Sequence, residues 1–419
     1  METRDVKYLI IGGGVAAARA CAGIRALDEE GSIAILTEEP HLPYHRPPLS
    51  KGYLRGDESE RVIMHPAAWY RRRGIAVYTS TRATRISRRS RRVTLADGSS
   101  IGYEELLLAT GGRAWRLPLA GADLAGVYTL RTMDDADDIR EAASTARHAV
   151  VIGGSFIGTE ISASLAQMGV PVTMCFLEEY PLQGIVPEEL GLLIRDRLAA
   201  QGVVLIPQMR PERIEGEGHV EAVRLENGMV APADLVVMGV GIRLNTELAR
   251  EAELELTDRS GVVVDERLRT SDPHIYAAGD IAAWPDARSG ERVRAEHWDT
   301  AYRQGYAAGR SMAGSLDPYD AVSYVFSDIL DLSLEAWGDL TRQEVIIKRG
   351  SPSEGSVTYF YVKDDAVDGV LAVGLPEQER NCIVALIKAR PSVAPIRCAL
   401  ADETVSLEQL IHCGEEGAA

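Results

Sequence analysis

Two glycine clusters have the residue types and spacing from which chemistry can be read. Gly12-Gly13-Gly14-Val15-Ala16-Ala17 fits G-x-G-x-x-A, and Gly153-Gly154-Ser155-Phe156-Ile157-Gly158 fits it except at the third place. In such a turn the first glycine (Gly12, Gly153) permits a tight reversal. The third residue (Gly14, Ser155) sets how closely a pyrophosphate approaches, and the last (Ala17, Gly158) lets the helix lie against its strand. The N-terminus of that helix, opened in the second cluster by Phe156 and Ile157, adds partial positive charge. An acid at the end of the next strand is placed to accept ribose hydroxyls, and Glu38 and Glu178 stand there. Ser155 could donate to a phosphate or crowd it, and both readings stay open. Glu179, beside Glu178, would repel a ribose 2′-phosphate, so the second turn suits NADH better than NADPH.

These turns need strands and helices to hold them. Residues 7–11 (KYLII) read as a strand, 15–27 as an Ala-rich helix and 32–36 as a second strand, a complete βαβ unit. Residues 148–179 (HAVVIGGSFIGTEISASLAQMGVPVTMCFLEE) repeat the plan, so the chain holds two dinucleotide-type units. Between them, residues 75–108 alternate like short antiparallel strands, with a hairpin at Asp97-Gly98 and a buried strand at 105–111. Residues 203–240 repeat that hairpin logic around Asn227-Gly228. A strand at 275–280 (IYAAGD) precedes a helix over about 300–312, and 322–419 reads as strands with a couple of helices.

Composition narrows the function classes. A chain of 419 residues, 46% hydrophobic and 26% charged, is globular with room for two or three domains. Its formal charge of −17 excludes general nucleic-acid binding, which depends on Lys and Arg neutralising phosphates. One island departs from that balance: residues 61–92 hold ten arginines and no Asp or Glu. Five scattered cysteines (Cys21, Cys175, Cys382, Cys398, Cys413) form no C-x-x-C or metal-ligand spacing, so neither a metal site nor a dithiol centre is expected. No signal peptide or spanning segment is readable, and a cytoplasmic location is expected.

Two dinucleotide folds suggest a flavin held by one half and a nicotinamide delivered by the other. HLPYHRPPLSKGYL (41–54), ATGGRAWRLP (109–118), VYTLRT (127–132), GGSFIGTE (153–160) and IYAAGDIA (275–282) resemble, in order, the FAD-dependent ferredoxin reductases of the putidaredoxin-reductase and apoptosis-inducing-factor type. The resemblance covers roughly residues 5–340. It implies FAD as cofactor and NADH as electron donor. It gives Arg46 the pyrophosphate and Lys51 a place by the isoalloxazine ring, paired with Glu160, so that Lys51 and Glu160 are the candidate catalytic residues. An ionised pair there would orient the nicotinamide and hold positive potential near the reduced flavin. Asp280, after Gly279, is implied to bind the ribityl chain, with the following helix aimed at the flavin. Arg131 resembles the family's second flavin arginine. The resemblance also implies that Ala83, Ala109, Thr110 and Gly111 would lie along the cofactor and that Gly241 would join the nucleotide-binding set.

Two segments depart from that pattern. Where the family places an aromatic, commonly Trp, before Ser-Asp, this chain has Phe326-Ser327-Asp328, which can cover a flavin edge but lacks an indole donor. Glu296-His297-Trp298 is nearer the apoptosis-inducing-factor pattern; His297 could bond the cofactor and Trp298 could shield the ring, with capping or core packing as the plainer roles.

The expected architecture is α/β: two Rossmann-like domains, for FAD (1–114 and 245–321) and NADH (115–244), and a C-terminal α+β domain (322–419) of interface or dimerisation type, which admits a homodimer. The expected activity is transfer of electrons from NADH through flavin to a ferredoxin- or rubredoxin-like protein, without a metal, nucleic acid or membrane span. The alternatives are an NADH:quinone or NADH:oxygen oxidoreductase, or an NADH-sensing redox interaction protein similar to apoptosis-inducing factor. The arginine island falls in the FAD domain, where Arg71–Arg73 and Arg82–Arg92 are expected to be solvated or oligomer-facing rather than to dock a partner.

Overall fold

The computed structural model describes residues 5–57, 62–341 and 343–412; Arg61 and Cys413 lie outside them. Its contacts divide the chain into two compact units: Met1–Pro47 with Ser59–Arg113 and Ile242–Ala321, and Pro48–Glu58 with Ala114–Gly241 and Val322–Ala419.

In the first unit the apolar run Val6–Ile11 is the central strand. It pairs in parallel with Ile33–Leu36 on one side, Tyr8 opposite Ile33, and with Ser100–Leu108 on the other, Ile11 opposite Leu108. Leu9, Ile10, Ala34 and Ile35 are wholly buried, as a strand covered on both faces requires. Helix Val15–Arg25 runs on from the first glycine turn and lies against helix Trp298–Met312. A Cβ at Gly305 or Gly309 would come within 2.3 or 2.1 Å of the carbonyl oxygen of Ala16 or Ala20, so the two backbones touch and only glycine fits.

Two expectations are corrected here. Ile75–Tyr78 is not antiparallel: it extends the sheet in parallel beside Ile33–Leu36. Short alternation marks a half-buried strand but carries no direction. The antiparallel part is confined to Ala83–Ser87, Arg92–Leu95 and the start of Ser100–Leu108, with Gly98 at φ +83° in the turn. One edge of Ser100–Leu108 is shared: residues 100–102 pair with Arg92–Leu95, and residues 106–108 pair in parallel with Ile275–Ala277. After Asp280 comes strand Ala282–Pro285, and the helix read over about 300–312 runs from Trp298 to Met312.

The second unit holds a parallel sheet in the order Val204–Ile206, Val172–Cys175, Ala149–Ile152, Leu235–Met238, Val127–Thr129. Val204–Ile206 is thus a parallel edge strand rather than part of a hairpin, the second correction. The meander Pro211–Glu215, Ala222–Leu225, Val230–Pro232 does turn at Gly228. Helix Phe156–Gln167 follows the second glycine turn, and Met133–Ala143 starts on a Thr132–Asp135 capping box. The C-terminal part is a five-stranded antiparallel sheet with Tyr324–Ile329 at one edge. Helices Glu377–Ala389, Val393–Ala401 and Leu407–His412 belong to it, around a core of Phe360, Val367, Val370, Ile383, Leu386 and Leu400.

Candidate cofactor sites and the Lys51–Glu160 centre

At the first turn Gly12 has φ +127° and a Cβ there would stand 2.0 Å from the Ala109 carbonyl oxygen. Gly14, the N-cap of its helix, has nothing within 4 Å of where a Cβ would be, while Ala17 is fully buried against the sheet. The turn is closed behind and open in front, as a pyrophosphate needs. Glu38 is exposed, with its nearest cation, Arg82, 3.9 Å away. The neighbouring Glu39 is more engaged: it takes Arg46 at 2.6 Å and the Tyr44 hydroxyl at 2.5 Å. Burial works against the Arg46 charge, but Tyr44, Glu39 and Asp280 outweigh it and hold the guanidinium protonated.

Ala83 begins the strand Ala83–Ser87. Thr110 exchanges hydrogen bonds with Asn245, donating its hydroxyl to the Asn245 carbonyl at 2.6 Å and accepting the Asn245 amide at 3.0 Å, and Gly111 takes φ +58°. Gly279, at φ +80°, donates its N–H to Gln304 Oε1 at 2.9 Å beside the buried Asp280. Thr300 Oγ1 and Gln304 Nε2, one helical turn apart, are buried without a hydrogen-bond partner, and orphaned polar atoms of this kind call for a ligand. Together with the open Gly14 and the cationic Arg46, they fit FAD. His297 caps the helix by accepting the Asp299 N–H at 3.3 Å, Glu296 meets Arg294 at 2.6 Å, and Trp298 donates its indole N–H to His45 Nδ1 at 3.0 Å.

The second turn is built differently. Gly153, at φ +119°, sits against the Gly239 carbonyl oxygen, which a Cβ would approach to 2.4 Å, and Gly158 packs on Gly153 itself. Ser155 donates its hydroxyl to that same Gly239 carbonyl at 2.8 Å, so its proton is directed into the protein. Glu178 lies over the turn, its Oε2 2.9 Å from a Cβ position on Gly154, while Glu179 is exposed. Ile157 is exposed and Phe156 half-buried at the helix start. Gly241, at φ +97°, accepts the Trp115 N–H at 2.9 Å. The Arg131 backbone N–H is committed to Asp135 at 2.9 Å.

Lys51 and Glu160, 109 positions apart, meet at 2.9 Å with side-chain exposures of 15% and 5%. Two serines join them: Ser50 Oγ donates to Glu160 Oε2 at 2.5 Å and Ser327 Oγ to Oε1 at 2.6 Å. The Lys51 ammonium is also 5.8 Å from the Phe326 ring centroid. Sequence reading missed Glu39, Tyr44, Ser50, Gln304 and the role of Ser327, since a lone serine or glutamine has no diagnostic spacing. No cysteine pair is available among the described residues: Cys21 and Cys175 are buried free thiols that burial pushes up to about 12.

The arginine island is partly neutralised within the first unit. Arg88 meets Asp272 at 2.7 Å and Arg92 meets Asp5 at 3.1 Å. Arg91 contacts His274, and Arg73 stacks over Trp69. Arg88 and Arg92 stay more than a third exposed while paired with acids from distant parts of the sequence, and Arg71, Arg72, Arg85 and Arg89 are exposed.

Two dinucleotide turns, one in each unit, without a redox cysteine pair among the described residues, define a flavoprotein reductase that takes electrons from a pyridine nucleotide and passes them on directly. The chain belongs to the pyridine nucleotide-disulphide oxidoreductase family, which matches residues 6–305, and residues 324–411 match the reductase C-terminal domain. Within it the chain is of the ferredoxin-reductase type. It is 32% identical over 408 residues to the ferredoxin–NAD(+) reductase subunit of the benzene 1,2-dioxygenase system of Pseudomonas putida, covering 97% of this chain and 98% of that one. It is 32% identical over 373 residues to a rubredoxin-NAD(+) reductase of the same organism, covering 88% and 96%. The reductase in the crystal structure of the covalent putidaredoxin reductase–putidaredoxin complex superposes with a TM-score of 0.92 at 31% identity, covering 99% of this chain and 100% of that one. No helix among the described residues is long and apolar enough to cross a membrane, and no cluster of three metal-ligating side chains occurs among them.

Proposed function

We propose that the chain uses NADH in preference to NADPH to reduce bound FAD, and that its acceptor is a ferredoxin- or rubredoxin-like protein in the cytoplasm. The domains proposed are 1–114 with 245–321 for FAD, 115–244 for NADH, and 322–419 as the C-terminal domain. FAD, when bound, accepts electrons as a pair and releases them singly, which joins a nicotinamide donor to a one-electron carrier.

The chain's own residues have the remaining tasks. The Gly12–Gly14 turn with Arg46 holds the cofactor phosphates, and Asp280, Thr300 and Gln304 offer polar groups to its sugar-like and ring portions. The Gly153–Ser155 turn holds the nicotinamide dinucleotide, with Glu178 on its ribose. Lys51, fixed by Glu160, places a desolvated ammonium where the nicotinamide must be oriented. The observation that carries the reading is this buried pair, since an ammonium–carboxylate contact at 5–15% exposure costs desolvation and is better explained by a task than by stability.

Anaerobic titration of the FAD-loaded protein tests it. NADH should bleach the flavin absorbance near 450 nm stoichiometrically, and faster than NADPH does. No bleaching, or faster reduction by NADPH, sinks the assignment. High quinone or ferricyanide turnover without reduction of any ferredoxin would point instead to an NADH:quinone oxidoreductase.

A further inference from the structure

We infer that Ser50 and Ser327 are positioning residues for the Lys51–Glu160 pair, two hydroxyl clamps that fix the carboxylate so that it can orient the ammonium. The inference rests on the reading that this pair acts at the electron-transfer step from NADH.

A carboxylate has two oxygens and about four acceptor sites, and its terminal torsion is broad and weakly preferred. One ammonium on one oxygen would leave Glu160 free to turn. Here Oε1 receives both Lys51 Nζ and Ser327 Oγ, while Oε2 receives Ser50 Oγ, so both oxygens are occupied and rotation breaks at least one bond. Ser50 and Ser327 are 1% exposed, so no water competes for the clamp.

The donors come from separate segments: Ser50 with Lys51 from residues 48–58, and Ser327 from the edge strand Tyr324–Ile329. The Ser50-Lys51 dipeptide is itself held on the helix that carries Glu160. Ser164, one turn further along that helix, donates its hydroxyl to the Ser50 carbonyl at 2.7 Å. The edge strand grips the pair twice, because Phe326 faces the Lys51 ammonium and Ser327 bonds Glu160. Successive strand residues point to opposite faces, so the two contacts restrain the pair from different directions. A buried carboxylate needs partners, but a lysine and one hydroxyl would provide them; two hydroxyls on different oxygens set an orientation.

The experiment combines stopped-flow reduction by NADH with a lysine spectrum. Removing a hydroxyl from a charged acceptor should lower the limiting rate of flavin reduction about ten-fold in Ser327→Ala and Ser50→Ala, with the NADH dissociation constant within about two-fold. Ser327→Thr, which keeps the hydroxyl, should stay within about three-fold of the parent, and the Ser327→Ala/Glu160→Gln double variant should be no slower than Glu160→Gln alone. Because the chain has five lysines, Lys51 is assignable in a lysine 13Cε spectrum of the apoprotein by its loss in Lys51→Met. Its signal should move in both serine variants while the other four stay. Parental rates in the serine variants, multiplying losses in the double variant, or an unmoved Lys51 signal would overturn the inference alone. If Glu160→Gln and Lys51→Met also reduce at the parental rate, the reading of the pair falls and the inference with it.

Discussion

The two glycine turns begin from nearly the same hexapeptide and end as different surfaces. In the first, Gly14 leaves its front open and the strand-end acid Glu38 stands out in solvent, while Glu39 is drawn to Arg46 and Tyr44. In the second, Ser155 is tied back to Gly239 and Glu178 lies directly over Gly154. What the turns share is the rear of the fold, where Gly12 and Gly153 both take φ above +100° with a carbonyl oxygen where a Cβ would go. The rear is set by backbone sterics and admits no choice. The front faces the ligand and has been free to differ. The first turn with its cationic Arg46 suits a retained cofactor, and the second, with an acid over the ribose position, suits selection among exchanging nucleotides.

That contrast can be broken at its rear first. Gly12→Ala forces an L-residue to φ +127° and a Cβ to 2.0 Å from Ala109 O, a penalty on the order of 3 kcal/mol or more. The protein should emerge without FAD absorbance. Gly153→Ala, with the same fault at Gly239, should keep its yellow colour and lose reduction by NADH. If both variants lose FAD, or neither does, the division of labour is wrong.

The acids come next in size. Glu178→Gln combined with Glu179→Arg removes the carboxylate over the turn and supplies a cation for a 2′-phosphate. The ratio of kcat/KM for NADH over NADPH should fall by about 10- to 100-fold, which corresponds to about 1.4–2.7 kcal/mol. Glu38→Gln should leave that ratio unchanged. Smallest is Ser155→Gly, which removes a hydrogen bond directed into the protein; the KM for NADH should change by no more than about five-fold, since a neutral hydrogen bond contributes about 1 kcal/mol. A much larger change would show that the serine contacts the nucleotide itself.

Much of the fold was legible because it rests on local pattern. Apolar runs of four to six residues followed by small-residue turns and Ala-rich helices can form little but βαβ units, and both were found in place. Strand direction was less legible. Ile75–Tyr78 and Val204–Ile206 alternate like hairpin strands, yet both run parallel, because direction depends on which strand edge is free. The arginine island shows the same limit for charge: Asp272 and Asp5, which offset Arg88 and Arg92, are far off in the chain.

The sequence by itself determined the two dinucleotide turns, the acids at their strand ends and the absence of a redox cysteine motif, since each is a matter of residue type at short range. Only the tertiary structure decided that Ser50 and Ser327 join the Lys51–Glu160 pair, which the resemblance had implied, that Ser155 turns inward, and that Glu39 rather than Glu38 engages Arg46. The reason is physical. A turn is fixed by the sterics of neighbouring residues, whereas the partner of a buried charge is whichever donor the packing of distant segments brings within 3 Å.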